Sequence, residues 1–204
     1  LTSLLFQIEN TLAVLFHHTE NSKKSEHYFA ASERRKALLH KYHFDEKTGT
    51  YQDYDYVQGK LTGRMSMAMA YPLFVGAATA SSANSVSKYL NQHFLKQGGF
   101  VSTLVETGEQ WDYPNGWAPL QYIGVKGLLT YNKHALANDA MSRWLALNEK
   151  VYQAEGKMME KYNVVDTTLK AGGGEYPTQD GFGWTNGVDL AFYRLLAEQN
   201  VASK

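Results

Sequence analysis

The sequence predicts an all-α fold built from helical hairpins, with one short β-hairpin. Three observations predict it. Apolar residues recur every three to four positions along most of the chain, which is the spacing of one helix face. The breaks between these runs are short and rich in Asn, Gly or Pro, residues that end helices and turn the chain. No sharp repeat on the scale of about 20–50 residues appears, so the hairpins do not form a solenoid. No linker divides the chain, and residues 1–204 read as a single domain.

The elements follow in order. Leu5, Ile8, Leu12, Leu15 and Phe16 mark the apolar side of a first helix, and Asn21 and Ser22 break it. Tyr28, Ala31, Leu38, Leu39 and Tyr42 form one face of a second helix, with Ser32, Glu33, Arg34 and Lys36 opposite. Two such helices pair as an antiparallel hairpin. Residues 44–56 change character: a turn at 45–49 and the alternation around Tyr51, Asp53 and Asp55 predict the β-hairpin. Its acids, Asp45 among them, read as solvated. Residues 65–80 are apolar and small, which predicts a buried helix despite Pro72. Residues 82–95 form another, stopped by Gly98 and Gly99. A short helix over 122–131 carries Gly124 and Gly127, which allow close helix approach. The longest periodic element covers 138–159, with Met141, Trp144, Leu145, Val151, Tyr152, Met158 and Met159 on its buried side. A last helix covers 186–198. About seven helices result, too few to close a twelve-helix ring. Helical hairpins with long aromatic loops at one end suit part of an (α/α)6 toroid.

Composition narrows the function classes. Twenty basic and twenty acidic residues give zero formal charge, with no basic cluster. That argues against nucleic acid or an anionic membrane as partner. No apolar run approaches the roughly 18 residues of a membrane span. The chain has no cysteine, so disulfides and thiol chemistry are excluded. This suits the periplasm as well as the cytoplasm. The seven histidines are scattered without metal-ligand spacing, and Gly172-Gly173-Gly174 lacks the Lys-Ser/Thr of a phosphate loop. No metal and no cofactor are expected. The chain opens at Leu1-Thr2-Ser3-Leu4-Leu5, already inside an amphipathic pattern, and reads as the C-terminal portion of something longer.

Two stretches carry the chemistry. The first is Gln110-Trp111-Asp112-Tyr113-Pro114-Asn115-Gly116-Trp117-Ala118-Pro119. Pro114, Asn115 and Gly116 predict a tight turn that brings Trp111 and Trp117 together. Pro119 suits the first turn of a helix. Indoles pack on the apolar face of a pyranose, while Gln110, Asn115 and Asp112 offer partners to its hydroxyls. Asp112 equally suits capping of the turn, and that reading is favoured. The second stretch is Gly172-Gly173-Gly174-Glu175-Tyr176-Pro177-Thr178-Gln179-Asp180-Gly181-Phe182-Gly183-Trp184-Thr185-Asn186-Gly187-Val188. Its mixture of glycines and large aromatics reads as a lid.

These two stretches closely resemble, in the right order, the second signature and the glycine-rich C-terminal signature of the trehalase family of glycoside hydrolases. The likeness extends over the intervening helices to the start of the chain. It implies that the chain forms the C-terminal part of an (α/α)6 toroid, and it implies inverting hydrolysis of α,α-trehalose to two glucoses. It implies that Glu160, in a Glu-Lys-Tyr segment 15 residues before Glu175, is the catalytic base. By itself a glutamate near a helix end would read as solvated. The resemblance implies that Glu175 binds substrate, and Tyr176, Phe182 and Trp184 are read with it as the lid. Inverting glycosidases need two carboxyl groups. In the family the general acid is an aspartate N-terminal to anything present here, so the chain alone is expected to be inactive and to need the missing N-terminal portion. Resemblance to bacterial secreted enzymes implies the periplasm, with the cytoplasm as alternative. An open half-ring is also expected to self-associate. The rival readings are a glycosidase for another α-glucoside and a non-catalytic sugar-binding or structural remnant.

Overall fold

The computed structural model describes residues 1–169 and 178–202. Helices α1 (Thr2–His18) and α2 (Ser22–His43) form the first hairpin. Asn21 sets the break: its side-chain oxygen accepts from the Lys24 N–H at 3.3 Å, satisfying one donor that a helix start leaves unpaired. Arg35 grips Glu9 across the hairpin with two hydrogen bonds of 2.7 and 2.6 Å.

Two small hairpins follow where one was expected. β1 (Phe44–Asp45) pairs with β2 (Thr50–Tyr51), and β3 (Tyr54–Asp55) pairs with β4 (Lys60–Leu61). The Asp45 and Asp55 carboxylates accept N–H bonds from their own turns, the local role that Asp takes in turns.

The long helix expected over 65–80 is corrected. Met67–Ala70 form a tight 3₁₀ turn, and α3 spans only Tyr71–Phe74 before the chain turns again. Thr79 then starts α4 (Ala80–Tyr89) through a reciprocal capping box with Ser82. The apolar residues signalled burial rather than helix length: Met67, Met69, Ala70 and Leu73 are all essentially inaccessible. Helix α4 runs into a wider turn over Leu90–Phe94 and then into β5 (Leu95–Lys96), which pairs with β6 (Gly99–Phe100). Gly98 and Gly99 thus turn a hairpin instead of stopping the helix directly.

The last third builds the site. Strand β7 (Asn115–Trp117) leads into α5 (Ala118–Thr130), with Pro119 in its first turn. A Cβ on Gly127 would lie 3.0 Å from Leu73 Cβ and from the Phe74 nitrogen, so only glycine lets α5 seat this closely on α3. Helix α6 (His134–Glu155) ends at Gly156, whose φ of 70° is a left-handed cap. The helix therefore stops short of the expected 159. Glu160 lies beyond it, next to strand β8 (Lys161–Asn163), which pairs antiparallel with β7. Helix α7 (Gly183–Ala202) closes the described chain. Helix α1 touches α3, α3 packs on α5 and α5 on α7, while α2 covers α1 and α6 covers α5. The odd-numbered helices thus form one row. The β7–β8 ladder lies at the end of that row where α5 begins.

Gly116 makes the ladder possible. A Cβ there would sit 2.4 Å from Val164 Cγ1 and 2.9 Å from the Phe100 carbonyl oxygen. Gly116→Ala is expected to destabilise the protein by about 1–3 kcal/mol. Urea unfolding would show this as a lower midpoint with an unchanged slope.

Candidate active site

The indoles expected together are together. Trp111 and Trp117 stack in parallel, ring centres 3.9 Å apart and planes 4° from parallel. Trp184 meets both edge-on at 6.2 and 5.7 Å, and Phe182 lies 5.0 Å from Trp184. The turn that does this is displaced from its expected place. It runs from Asp112 to Asn115, closed by the Asn115 N–H donating to the Asp112 carbonyl at 2.9 Å, with a cis Tyr113–Pro114 peptide inside it. Asn115 and Gly116 belong to β7 instead. The Trp117 indole N–H donates to the Gln110 carbonyl at 3.0 Å, which ties the two ends of the loop. Trp117 is 1% exposed, whereas Trp111 is 46% and Trp184 36% exposed. The open aromatic surface belongs to Trp111 and Trp184, and Trp117 backs it from the interior.

Glu160 sits against this cluster. It is 5% exposed. Its N–H donates to the Gln179 carbonyl at 2.9 Å, and its own carbonyl accepts from the Trp184 indole at 3.3 Å. The carboxylate lies 3.5 Å from the Lys161 ammonium, which also faces the Trp117 ring at 5.6 Å. Lys161 is wholly buried. A buried cation of this kind persists where a carboxylate and a ring face compensate its lost hydration. The main chain on either side is held as firmly. The Tyr162 hydroxyl oxygen accepts from the Met159 N–H at 2.8 Å, and Thr185 Oγ1 donates to the Met159 carbonyl at 2.7 Å. Burial pushes the Tyr162 hydroxyl up to about 12, so it stays neutral.

Asp112 bonds within its own loop. Its Oδ2 accepts from the Thr107 N–H and, at 2.8 Å, from the Thr107 hydroxyl, pinning the loop ahead of Trp111. Gln110 and Asn115 are different. Both are at most 4% exposed, and among the described residues both Gln110 amide atoms and Asn115 Oδ1 have no hydrogen-bond partner. Orphaned buried amides are costly and call for a ligand or an ordered water. Replacing Gln110 with methionine removes that cost at nearly constant volume. The variant is expected to be more stable by about 1 kcal/mol while binding sugar more weakly, measured by thermal melting and by calorimetry with trehalose. Glu175 and Tyr176 lie outside the described residues. Among the described residues no group of three His, Asp or Glu is placed to hold a metal, and no helix is long and apolar enough to cross a membrane.

Sequence reasoning missed a polar contact behind the site. Asp189 on α7 is 7% exposed and accepts from the Trp144 indole at 2.8 Å. A carboxylate inside the run Val188–Leu190 was the available signal.

Helical hairpins with small antiparallel strand pairs are the build that this chain shares with helical-toroid glycoside hydrolases. The GH63 mannosylglycerate hydrolase of Thermus thermophilus, solved with glucose, shares this fold with a TM-score of 0.70 at 20% identity, over 95% of this chain and 46% of that one. Neutral trehalase Nth1 of Saccharomyces cerevisiae superposes with a TM-score of 0.81 at 25% identity, over 95% of this chain and 37% of that one. The chain belongs to the trehalase family: the family model described as Trehalase matches residues 1–197. Periplasmic trehalases of Salmonella paratyphi B and Salmonella dublin are 40% identical over 199 residues, which is 98% of this chain and 35% of each relative. The chain thus spans about a third of the length of the curated relatives it matches.

Proposed function

We propose that this chain supplies the C-terminal part of an inverting α,α-trehalase. Glu160 is the base, and the site takes a glucosyl ring against Trp111 and Trp184. The observation that carries the reading is the buried Glu160 carboxylate beside a tryptophan cluster and a Gln110 amide that has no partner among the described residues. In the reaction Glu160 takes a proton from a water as its oxygen bonds to the anomeric carbon. The bond from that carbon to the bridging oxygen breaks. A second carboxyl group protonates the departing oxygen, and two glucoses leave. The second group is the aspartate that the family carries in its N-terminal portion, so the chain by itself is inactive. Gln110 and Asn115 meet sugar hydroxyls, and Glu175, Tyr176 and Phe182 act from the lid.

The N-terminal portion is the partner this reading requires. Leu4, Ile8 and Leu15 form an exposed apolar stripe on α1, a surface such a portion would cover. The relatives' names favour a periplasmic site of action.

A chimaera tests the proposal. This chain would replace the matching C-terminal third of the Salmonella paratyphi B enzyme. Trehalose hydrolysis by the chimaera, with none by the chain alone, is the expected result. A chimaera that folds but prefers maltose, or activity in the chain alone, would overturn it.

A further inference from the structure

One face of α7 grips three other elements at once. Thr185, Asp189 and Phe192 share that face, at the spacing of helical neighbours, and all three are buried. Thr185 holds the Met159 carbonyl, Asp189 holds the Trp144 indole, and Phe192 stacks near Tyr122 at 6.5 Å. Trp144 is itself wholly buried and meets Tyr162 edge-on at 5.2 Å. Tyr162 in turn holds the Met159 N–H. The contacts close a ring: Asp189 to Trp144, Trp144 to Tyr162, Tyr162 to Met159, Met159 to Thr185, and Thr185 back along α7 to Asp189. Glu160 lies in the chain segment that the ring clamps, between Met159 and Tyr162, with Trp184 of α7 on its carbonyl.

Asp189 is the one member of the ring whose charge can change near neutral pH. Burial pushes its carboxyl up to about 7, opposed only by the Trp144 hydrogen bond. An ionised carboxylate accepts four or more hydrogen bonds in water. Among the described residues it has one donor. The groups that face it are Tyr162 from β8, Tyr193 from the next turn of α7 and, beyond Tyr193, Glu149 of α6. Among the described residues no cation is paired with it. Ionising it strengthens the bond from the Trp144 indole, but one donor cannot solvate a buried charge, which draws water toward the ring.

We infer that Asp189 is a positioning residue for Glu160: through Trp144 and Tyr162 it holds the stretch that bears the carboxylate, and its ionisation, by drawing water to the buried charge, loosens that stretch. The inference rests on the reading of Glu160 as the base, but its test needs no catalysis.

The test follows the four indole N–H signals and the Met159 amide of the ¹⁵N-labelled chain from pH 5 to 9. The Trp144 and Trp184 indoles and the Met159 amide are expected to shift with one common midpoint near 7. In Asp189→Asn, which keeps an acceptor for the indole but cannot ionise, that shared transition is expected to vanish. A Trp144 signal that titrates alone would sink the idea, since Asp189 would then be a buried acid without a hold on the site. A wild-type Trp144 signal that is flat through the range would sink it too, and this result needs no variant to fold. Failure of the trehalase reading would instead appear in the chimaera assay and leave these spectra unchanged.

Discussion

Glu160→Gln in the chimaera is expected to lower the rate of trehalose hydrolysis by about 10²–10⁴-fold, the usual reach of acid–base assistance. The substitution keeps the shape and the burial of the side chain. It removes the ability to take a proton from the attacking water. Binding should survive, because the Trp111 and Trp184 surfaces and the Gln110 and Asn115 amides are untouched. Glucose release and calorimetric affinity for trehalose, measured on the same preparation, separate the two effects. A loss in kcat with affinity retained fits a base. A rate within tenfold of the parent would remove Glu160 from that role. A loss confined to affinity would make it a sugar contact. The neighbouring Lys161 adds a warning for design. Glu160→Gln leaves a wholly buried ammonium beside a neutral amide, so some stability should go with the charge. Thermal melting of the variant measures that part directly.

Asp189→Asn is expected to change how stability depends on pH. In the folded chain burial holds the carboxyl at about 7, against an ordinary value of 3.8. Between those values the native state binds a proton that the unfolded state has released. Stability therefore falls as pH rises from about 4, and the full penalty stands above about 7. A gap of that size corresponds to on the order of 4 kcal/mol, a large share of the 5–15 kcal/mol typical of a folded domain, roughly speaking. The asparagine variant cannot ionise. Its stability should stay flat through this window and exceed that of the parent above pH ~7, with little difference near pH ~4. Urea midpoints at a series of pH values check this. Parallel curves for the two proteins would show that Asp189 titrates in the ordinary carboxylate range.

Helices α1, α2 and α6 were legible because helical hydrogen bonds are local and the apolar period repeats over several turns. Pro119 and Asn21 were legible for the same reason, since each acts within its own turn. The run over 65–80 misled. Its small apolar residues mark depth in the core, and depth alone does not separate a long helix from a 3₁₀ turn, a four-residue α3 and the start of α4. Strand β8 was invisible because three residues have no readable alternation; it exists through its pairing with β7. That pairing, with the Gly156 cap before it, moved Glu160 from a helix end into the site.

Family membership was also legible, because ten- and seventeen-residue signatures carry enough information to be recognised in a string. So was the proximity of Trp111 and Trp117, which a short prolyl loop imposes locally. The exposure of each indole was not. Trp117 is covered and Trp111 open because of which segments converge from elsewhere in the chain. The same holds for the orphaned Gln110 amide, for the buried Lys161 beside Glu160, and for Asp189 against Trp144, 45 residues away. Residue type and local spacing settled the helices, the loop and the family. Burial, charge state and partnership are set by distant segments meeting in space, so only the tertiary structure decided them.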